Sequence, residues 1–238
     1  MRLALLTLSI LCGGYAFALS DDSANKPPTG GGNYSLSDHP SQDGRCEGDV
    51  GIGDLDRSEE ACLHQVPQIV ERRGSFLQLK FGNGYTRIYS DEVAVCESDQ
   101  PDNCVRYKLA GFFPRHGLLL IEMSYWEGVE WLLVQTQNGE ATKILAPPHY
   151  SPHEKWLVSV SASEGPSGGG NGIDIVPTEP GHIAGAWHYR VPDDGDLLYE
   201  FIGWEGDERV KLTRTSLKGP TTPHPAQVDR VNGAWRLK

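Results

Sequence analysis

From Gly74 onward the chain is a succession of short apolar runs, broken by turn residues every eight to twelve positions. That rhythm belongs to antiparallel strands joined by hairpins, since a strand needs only five or six residues between reversals. Phe76, Leu77 and Leu79 lead to Gly82-Asn83-Gly84, and Tyr85, Ile88 and Tyr89 follow. Gly and Asn tolerate the positive φ of a tight turn, so a hairpin is expected there. Gly117–Tyr125 and Val129–Gln135 form a second pair around Glu127-Gly128, and Asn138-Gly139 marks a further reversal into Ala141–Leu145. Trp156–Ser161 and Ile173–Val176 flank the glycine-rich stretch EGPSGGGNG. Asp196–Ile202 and Arg209–Thr215 make a last hairpin through Glu205-Gly206-Asp207. Lys218–Ala226, KGPTTPHPA, reads as extended and turn-rich, and Val231–Leu237 as a terminal strand.

No strand–helix–strand alternation occurs, which excludes doubly wound folds. The expected fold is mainly β: antiparallel sheets built from successive hairpins, as a sandwich or a small propeller-like stack, with one short N-terminal helix. That helix is placed within Arg57–Arg73, where Ser58 is a candidate cap, Glu59 and Glu60 complement the first-turn dipole, and Pro67 ends or kinks the element. The 165 residues from Gly74 to Lys238 suffice for one domain.

The opening MRLALLTLSILCGGYAFALS has a basic Arg2, an apolar stretch from Leu3 to Leu11 and Ala16-Phe17-Ala18 as a small-x-small cleavage site. This is the organisation of an export signal, with an apolar part too short to span a bilayer. Leu11 before Cys12 does not suit a lipid-modified cysteine, so residues 1–18 are expected to leave a free product, secreted or periplasmic, with no membrane insertion. Residues 19–45 are rich in Gly, Pro, Ser, Asn and Asp, and only Tyr34 and Leu36 could join a core, which is the composition of a disordered linker. They include the sequon Asn33-Tyr34-Ser35.

An even set of four cysteines then remains, Cys46, Cys62, Cys96 and Cys104. In an oxidising compartment these are expected as disulfides, paired locally as Cys46–Cys62 and Cys96–Cys104. Zinc is disfavoured, because its sites use cysteine pairs about two to four residues apart and no C-x-x-C occurs. Residues 46–73 therefore read as a disulfide-bearing segment ahead of an all-β region, 74–238. The chain carries 21 basic against 32 acidic residues, a formal charge of −11. An acidic surface repels phosphate backbones and anionic lipid, so nucleic acid is an unsuitable partner, and a cationic protein a suitable one.

The segment ILAPPHYSPHEKWLVSV, Ile144–Val160, resembles a blade segment of TolB-type or WD-like β-propellers, in which a Ser-Pro-Asp-Gly-Lys turn precedes an apolar strand. Ser151-Pro152 and Lys155-Trp156-Leu157 match, while His153-Glu154 stand in place of Asp-Gly. The resemblance implies a repeated antiparallel sheet unit. Trp-Glu-Gly occurs at Trp126 and again at Trp204, 78 residues later, close to twice a blade of ~40 residues.

Catalytic motifs are poor. Gly165-Pro166-Ser167-Gly168-Gly169 satisfies G-x-S-x-G, but no strand-to-helix elbow surrounds it. The glycine run opens no helix that could cradle phosphate. His149 and His153 lie four apart, yet Pro147, Pro148 and Pro152 exclude a regular helix that would align them, and no metal or cofactor is expected. In GDVGIGDLDRSEE the acids miss the EF-hand register. Paired acids such as Glu122/Glu127 and Glu200/Glu205 have the residue types for glycoside hydrolysis. Of the six tryptophans, most flank apolar strand positions and belong in the core. The candidate binding residues are Tyr125, Trp126 and Glu127 at one turn, and Trp204 and Glu205 at the other. The expected function is an exported, non-catalytic domain that binds a protein or glycan partner as an inhibitor, immunity-type or envelope module. The alternatives are a hydrolase without a recognisable motif and a structural envelope component. Convergence of His149, His153, His188, Glu127 or Glu205 in one pocket would distinguish the enzyme.

Overall fold

The computed structural model describes residues 55–98, 103–126, 128–163, 170–192, 195–219 and 222–238, and the side chains from Glu59 onward. Helix α1 (Leu55–Gln65) is followed by strands β1 (Val70–Arg73), β2 (Phe76–Lys80) and β3 (Thr86–Ser90), then the short helix α2 (Val93–Cys96). A second group contains β4 (Val105–Phe113), β5 (Leu118–Tyr125), β6 (Val129–Gln135) and β7 (Ala141–Ile144). Next come β8 (His149–Tyr150), β9 (Trp156–Ala162), β10 (Asn171–Pro177), a 3-10 turn (Ile183–Gly185) and β11 (Trp187–Arg190). The last group is β12 (Leu197–Trp204), β13 (Arg209–Ser216), β14 (His224–Val231) and β15 (Ala234–Leu237). Each group forms one antiparallel sheet in which sequence neighbours pair, with three strands in the first sheet and four in each of the others. The mainly β fold of successive hairpins is therefore as expected.

The sheets stack in chain order, and strand periodicity shows how. On β5, Leu119, Ile121 and Met123 join Cys62, Val66, Val70, Leu77 and Leu79 in the core shared with α1 and the first sheet. The alternate residues Leu118 and Leu120 join Leu157, Val176 and Ile183 in the core shared with the third sheet. β5 is buried on both faces, which is why LLLI is a continuous apolar run rather than an alternating one. The third sheet repeats the device. Val158, Ile173 and Ile175 pack with Val210, Leu212, Val228 and Trp235 of the fourth sheet, while Leu157 and Val176 face the second. Among the described residues, no apolar cluster joins the first sheet to the fourth.

The helix differs from expectation at both ends. It starts at Leu55, so Ser58 lies inside it rather than at its cap, and it stops at Gln65, two residues before Pro67. Val70–Arg73 then forms β1, paired with Phe76–Leu79, so the hairpin crosses Gly74, whose φ is +57°. Strands β4, β8 and β11 and helix α2 were not anticipated. β4 does alternate in V-R-Y-K-L, but a bulge between Leu109 and Gly111 interrupts it. KGPTTPHPA is only partly a connector, because β14 begins at His224 and pairs Pro225 with Thr213. Cys96 is bonded to Cys104 as expected, joining the end of α2 to the start of β4. Cys62 is also disulfide-bonded. Its expected partner Cys46 lies outside the described residues, as do the export signal, the linker and Gly165–Gly169.

Turns of neighbouring sheets clasp one another. Gly82 and Asn83, at the first hairpin turn, donate backbone hydrogen bonds to Thr136 O and Gln137 O beside the β6–β7 turn. Gly139 there has φ +76°, and a Cβ on it would stand 2.7 Å from the Phe81 ring, so only glycine suits both the turn and the contact. No helix of the described residues is long and apolar enough to cross a membrane.

Candidate functional site

The two Trp-Glu-Gly segments differ in their place in the hairpin and in their surroundings: Trp126 follows the last residue of β5, whereas Trp204 lies on β12 opposite Val210. At the first, Tyr125 N–H donates to Gly128 O across the β5–β6 reversal. The cover supplied by the first sheet ends here: exposure rises from 5% at Met123 to 38% at Tyr125 and 62% at Trp126. At the second, Trp204 is half-buried and meets the Trp235 ring edge-on at 6.1 Å, with Trp156 on the other side of Trp235 at 5.3 Å. Glu205 is tied to Arg209 and Lys211 at 3.6 and 3.4 Å. The sequence makes both turns candidate sites, but of their two tryptophans Trp126 is exposed and Trp204 is packed. Glu127 lies outside the described residues.

Around Tyr125 the strand register assembles a polar centre. Val105 of β4 lies opposite Tyr125, and Tyr107 opposite Met123, which lies opposite Glu130 of β6. These alternate positions share one face of the second sheet. Tyr125 Oη donates to Glu130 Oε2 at 2.8 Å, and Lys143 Nζ of β7 donates to the same oxygen at 2.6 Å. Burial, reinforced by the bond to Glu130, pushes the Tyr125 phenol well above its ordinary range. Burial would also raise Glu130, but the bonds from Lys143 and Tyr125 outweigh it and leave the carboxyl below its usual value. Tyr107 continues the surface to Tyr89, ring centres 4.9 Å apart, and burial raises its phenol as well. Beneath it, Arg72 donates to Tyr107 O and holds Glu59 at 2.7 Å and Asp91 at 3.2 Å. Tyr89, Tyr107, Glu130 and Lys143 had no signal in the sequence as site residues. The register of the second sheet brings Tyr107, Glu130 and Lys143 to the face of Tyr125, and Tyr89 meets Tyr107 from the first sheet.

The histidines do not converge. His149 stacks on Phe201 at 4.6 Å, which joins the third sheet to the fourth. His153 donates its backbone N–H to Asp207 Oδ1 at 3.0 Å and places Nδ1 3.1 Å from Oδ2. His188 Nδ1 lies 2.7 Å from Asp174 Oδ1, on the opposite face of the third sheet from His149. Asp174 is fully buried and also accepts from Arg190 Nη1 at 2.6 Å and from Leu145 N–H at 2.8 Å. Ser159, opposite Asp174 on β9, both accepts from Ala146 N–H and donates to Ala146 O at 2.7 Å. A Ser–Asp–His row exists here, but its serine is committed to backbone and its carboxylate to three donors. Its work is to fasten the β7–β8 connection to the third sheet.

HYSPHEK is likewise a structural hub. Glu154, at φ +56°, takes Arg115 on one carboxylate oxygen at 2.7 Å and His116 on the other at 3.2 Å, linking the third sheet to the second. On the other side, Asp207 from the second Trp-Glu-Gly turn accepts from His153 and pairs with Lys155 at 3.6 Å. Burial opposes ionisation of Asp207, but these bonds, with one from Ser151, hold its carboxyl below the ordinary value. A small depression near this hub is lined by Phe112, Phe113, Pro114, Arg115, Tyr150 and Glu154, and contains none of the three candidate histidines. Glu200 accepts from Thr213, Glu122 accepts from Ser124 and Glu205 pairs with Arg209 and Lys211, so the described acids of those pairs are engaged locally. No group of three or more His, Cys, Asp and Glu among the described residues could hold a metal ion.

No family model matches the chain, and no curated protein is similar to it.

Proposed function

We propose that this protein is an exported, non-catalytic binding domain that engages a protein or glycan partner outside the cytoplasm through Tyr125 and Trp126, at the turn end of the second sheet. The observation that carries the reading is the exposure of Trp126 at 62%, where Trp131, Trp156, Trp187, Trp204 and Trp235 all pack in or against apolar clusters. A large aromatic left in water at the end of a buried strand forgoes its burial energy, about 2–3 kcal/mol, unless a partner covers it. Tyr125 and Trp126 supply rigid contact area at low conformational cost, and the Glu130–Lys143 pair supplies directional hydrogen bonds beside it. Export is supported by the leader pattern of residues 1–18, and the Cys96–Cys104 bond suits an oxidising compartment.

The test is affinity capture with residues 19–238 from the protein's own extracellular or envelope extract, run beside Trp126→Ala. Retention of a partner by the native chain and its loss with the variant is expected. Capture unaffected by Trp126→Ala, or turnover of a substrate in a hydrolase panel, overturns the reading.

A further inference from the structure

Strand β3 is an outer strand of the first sheet, bonded to β2 on one side only. Its register decides which backbone groups lie on the other side. Phe81 N–H donates to Tyr85 O and Asp91 N–H to Ser75 O, so Tyr85, Arg87, Tyr89 and Asp91 carry the ladder to β2. The alternate residues Thr86, Ile88 and Ser90 therefore turn N–H and C=O away from the sheet. No group among the described residues bonds them there. Thr86, Arg87, Ile88 and Ser90 are also exposed in their side chains, Ile88 at 58%. The β4 edge of the second sheet is treated differently. There Glu92 N–H bonds Val105 O, Asp91 accepts from Tyr107 N–H, Arg72 donates to Tyr107 O and Glu59 accepts from Leu109 N–H. Outer strands are otherwise guarded by bulges, prolines or several charges. β3 has one charge, Arg87, no proline and an unbroken register.

We infer that β3 joins two copies of this chain, pairing antiparallel with itself about a twofold axis at Ile88. Such an axis requires the strand to complement itself, and β3 does. With Ile88 opposite its own counterpart, Thr86 falls opposite Ser90 and Arg87 opposite Tyr89. These are the positions whose backbone groups point outward in both copies, so the free N–H and C=O of Thr86, Ile88 and Ser90 all find partners. The side chains agree. Phe76 of β2 lies opposite Ser90, which makes it the diagonal neighbour of Ile88 on the outer face, and both are exposed. Ile88 against Ile88 makes one apolar strip of the two copies. Thr86 and Ser90 set hydroxyl against hydroxyl. Arg87 meets Tyr89, a contact it already makes within its own strand at 3.3 Å. No like charges stand opposite one another. A foreign strand has the same backbone groups to offer, but these side-chain matches belong to β3 against itself. The inference goes beyond the Trp126 reading and does not depend on it.

A strand of five residues buries well under the ~1,600 Å² of a standard interface, so the dimer is a weak one. Sedimentation equilibrium of residues 19–238 from about 10 μM to about 1 mM, at low and at high salt, tests it. Monomer at the dilute end and dimer at the concentrated end are expected. Salt should favour the dimer, because both copies are acidic and screening weakens their repulsion. Ile88→Lys and Ile88→Glu should each weaken association about tenfold or more by setting like charges opposite. Mixed together, the two variants should associate one to one, which misfolded chains would not do. Trp126→Ala should leave the dimer unchanged. A native chain still monomeric at about 1 mM overturns the inference. So does a dimer that survives both Ile88 variants, a mixture that fails to recombine, or a dimer lost with Trp126→Ala. Retention of a different protein that Ile88→Lys abolishes, with the native chain monomeric, also overturns it and assigns the edge to that partner.

Discussion

Replacing Asp174 with alanine should cost about 3–4 kcal/mol, and the structure shows where that comes from. The carboxylate is fully buried, and its Oδ2 accepts the N–H of Leu145, a residue itself only 4% exposed. Stranding that donor costs about 1–3 kcal/mol. Oδ1 takes His188 and Arg190, charge-assisted bonds of about 1.5–3 kcal/mol each in burial. These two side chains are 41% and 43% exposed and turn to water when the carboxylate is removed, which recovers much of their loss. For a domain of this size the net corresponds to a melting temperature lower by about 6–15 °C. Asparagine should not rescue. All three partners are donors, so the amide NH2 would be turned against one of them. Urea unfolding followed by tryptophan fluorescence measures the loss, and amide exchange at Leu145 and Ala146 locates it. If Asp174→Ala costs less than about 1 kcal/mol, or Leu145 keeps its protection, the fastening role assigned to Asp174 is wrong.

Other outcomes test neighbouring parts of the argument. Removing the Cys96–Cys104 bond by a double serine substitution should destabilise by about 2–3 kcal/mol, the loop-closure value for so short a ring, measured by chemical unfolding. Asp229 is hydrogen-bonded by Lys238 and Arg209, which push its carboxyl from 3.8 down to about 2. A lowered folded value stabilises above the unfolded one and is lost as pH falls towards about 2. The interval corresponds to at most ~2.5 kcal/mol. Screening of Arg209 and Lys238, which are 41% and 54% exposed, reduces it to about 1 kcal/mol. Asp229→Asn should therefore be less stable than the native chain at neutral pH, with the gap closing below about pH 3; a pH-independent gap contradicts the account. Asp207→Ala should loosen the turn-to-turn clasp, costing about 1–2 kcal/mol and raising amide exchange at His153 while amides at the centre of the second sheet stay protected. Uniform loss of protection would show instead that the clasp is part of the global core.

Much of the strand inventory is legible because it rests on local chemistry. Gly82-Asn83-Gly84 and Asn138-Gly139 announce reversals through backbone freedom, and the apolar runs between them have strand length. Strands β1 and β11 lack that local signature. Trp187-His188-Tyr189-Arg190 is bounded by turn residues, Pro180-Gly181 before it and Pro192 after it, but it has no apolar run, and its pairing with Gly172–Ile175 makes it a strand. Val70–Arg73 reads as the tail of a helix, yet it pairs with Phe76–Leu79 once Pro67 stops the helix. The site is less legible still. Tyr125 and Trp126 stand out as aromatics at a turn, but Tyr107, Glu130 and Lys143 are unremarkable until the register of β4 to β7 aligns them.

The sequence by itself determined several of the chain's reversals, that strands dominate it and which cysteines could pair near one another, since each depends on residues within a few positions. The reversals at Gly74 and at Asn232-Gly233, inside the stretch read as one terminal strand, were left to the strand pairing. The tertiary structure decided which faces are covered and which turns meet. Asp207 and His153 are 54 residues apart, and Asp174 and Leu145 are 29 apart. Nothing in either neighbourhood specifies the other. The two Trp-Glu-Gly turns make the same point. Both carry the same three residues, but Trp204 lies on β12 opposite Val210 and is packed against Trp235, more than thirty residues onward, while Trp126 follows the end of β5 and no sheet extends over it among the described residues. Burial is a property of what arrives from elsewhere in the chain, and it is burial that separates the architectural tryptophan from the one left to bind.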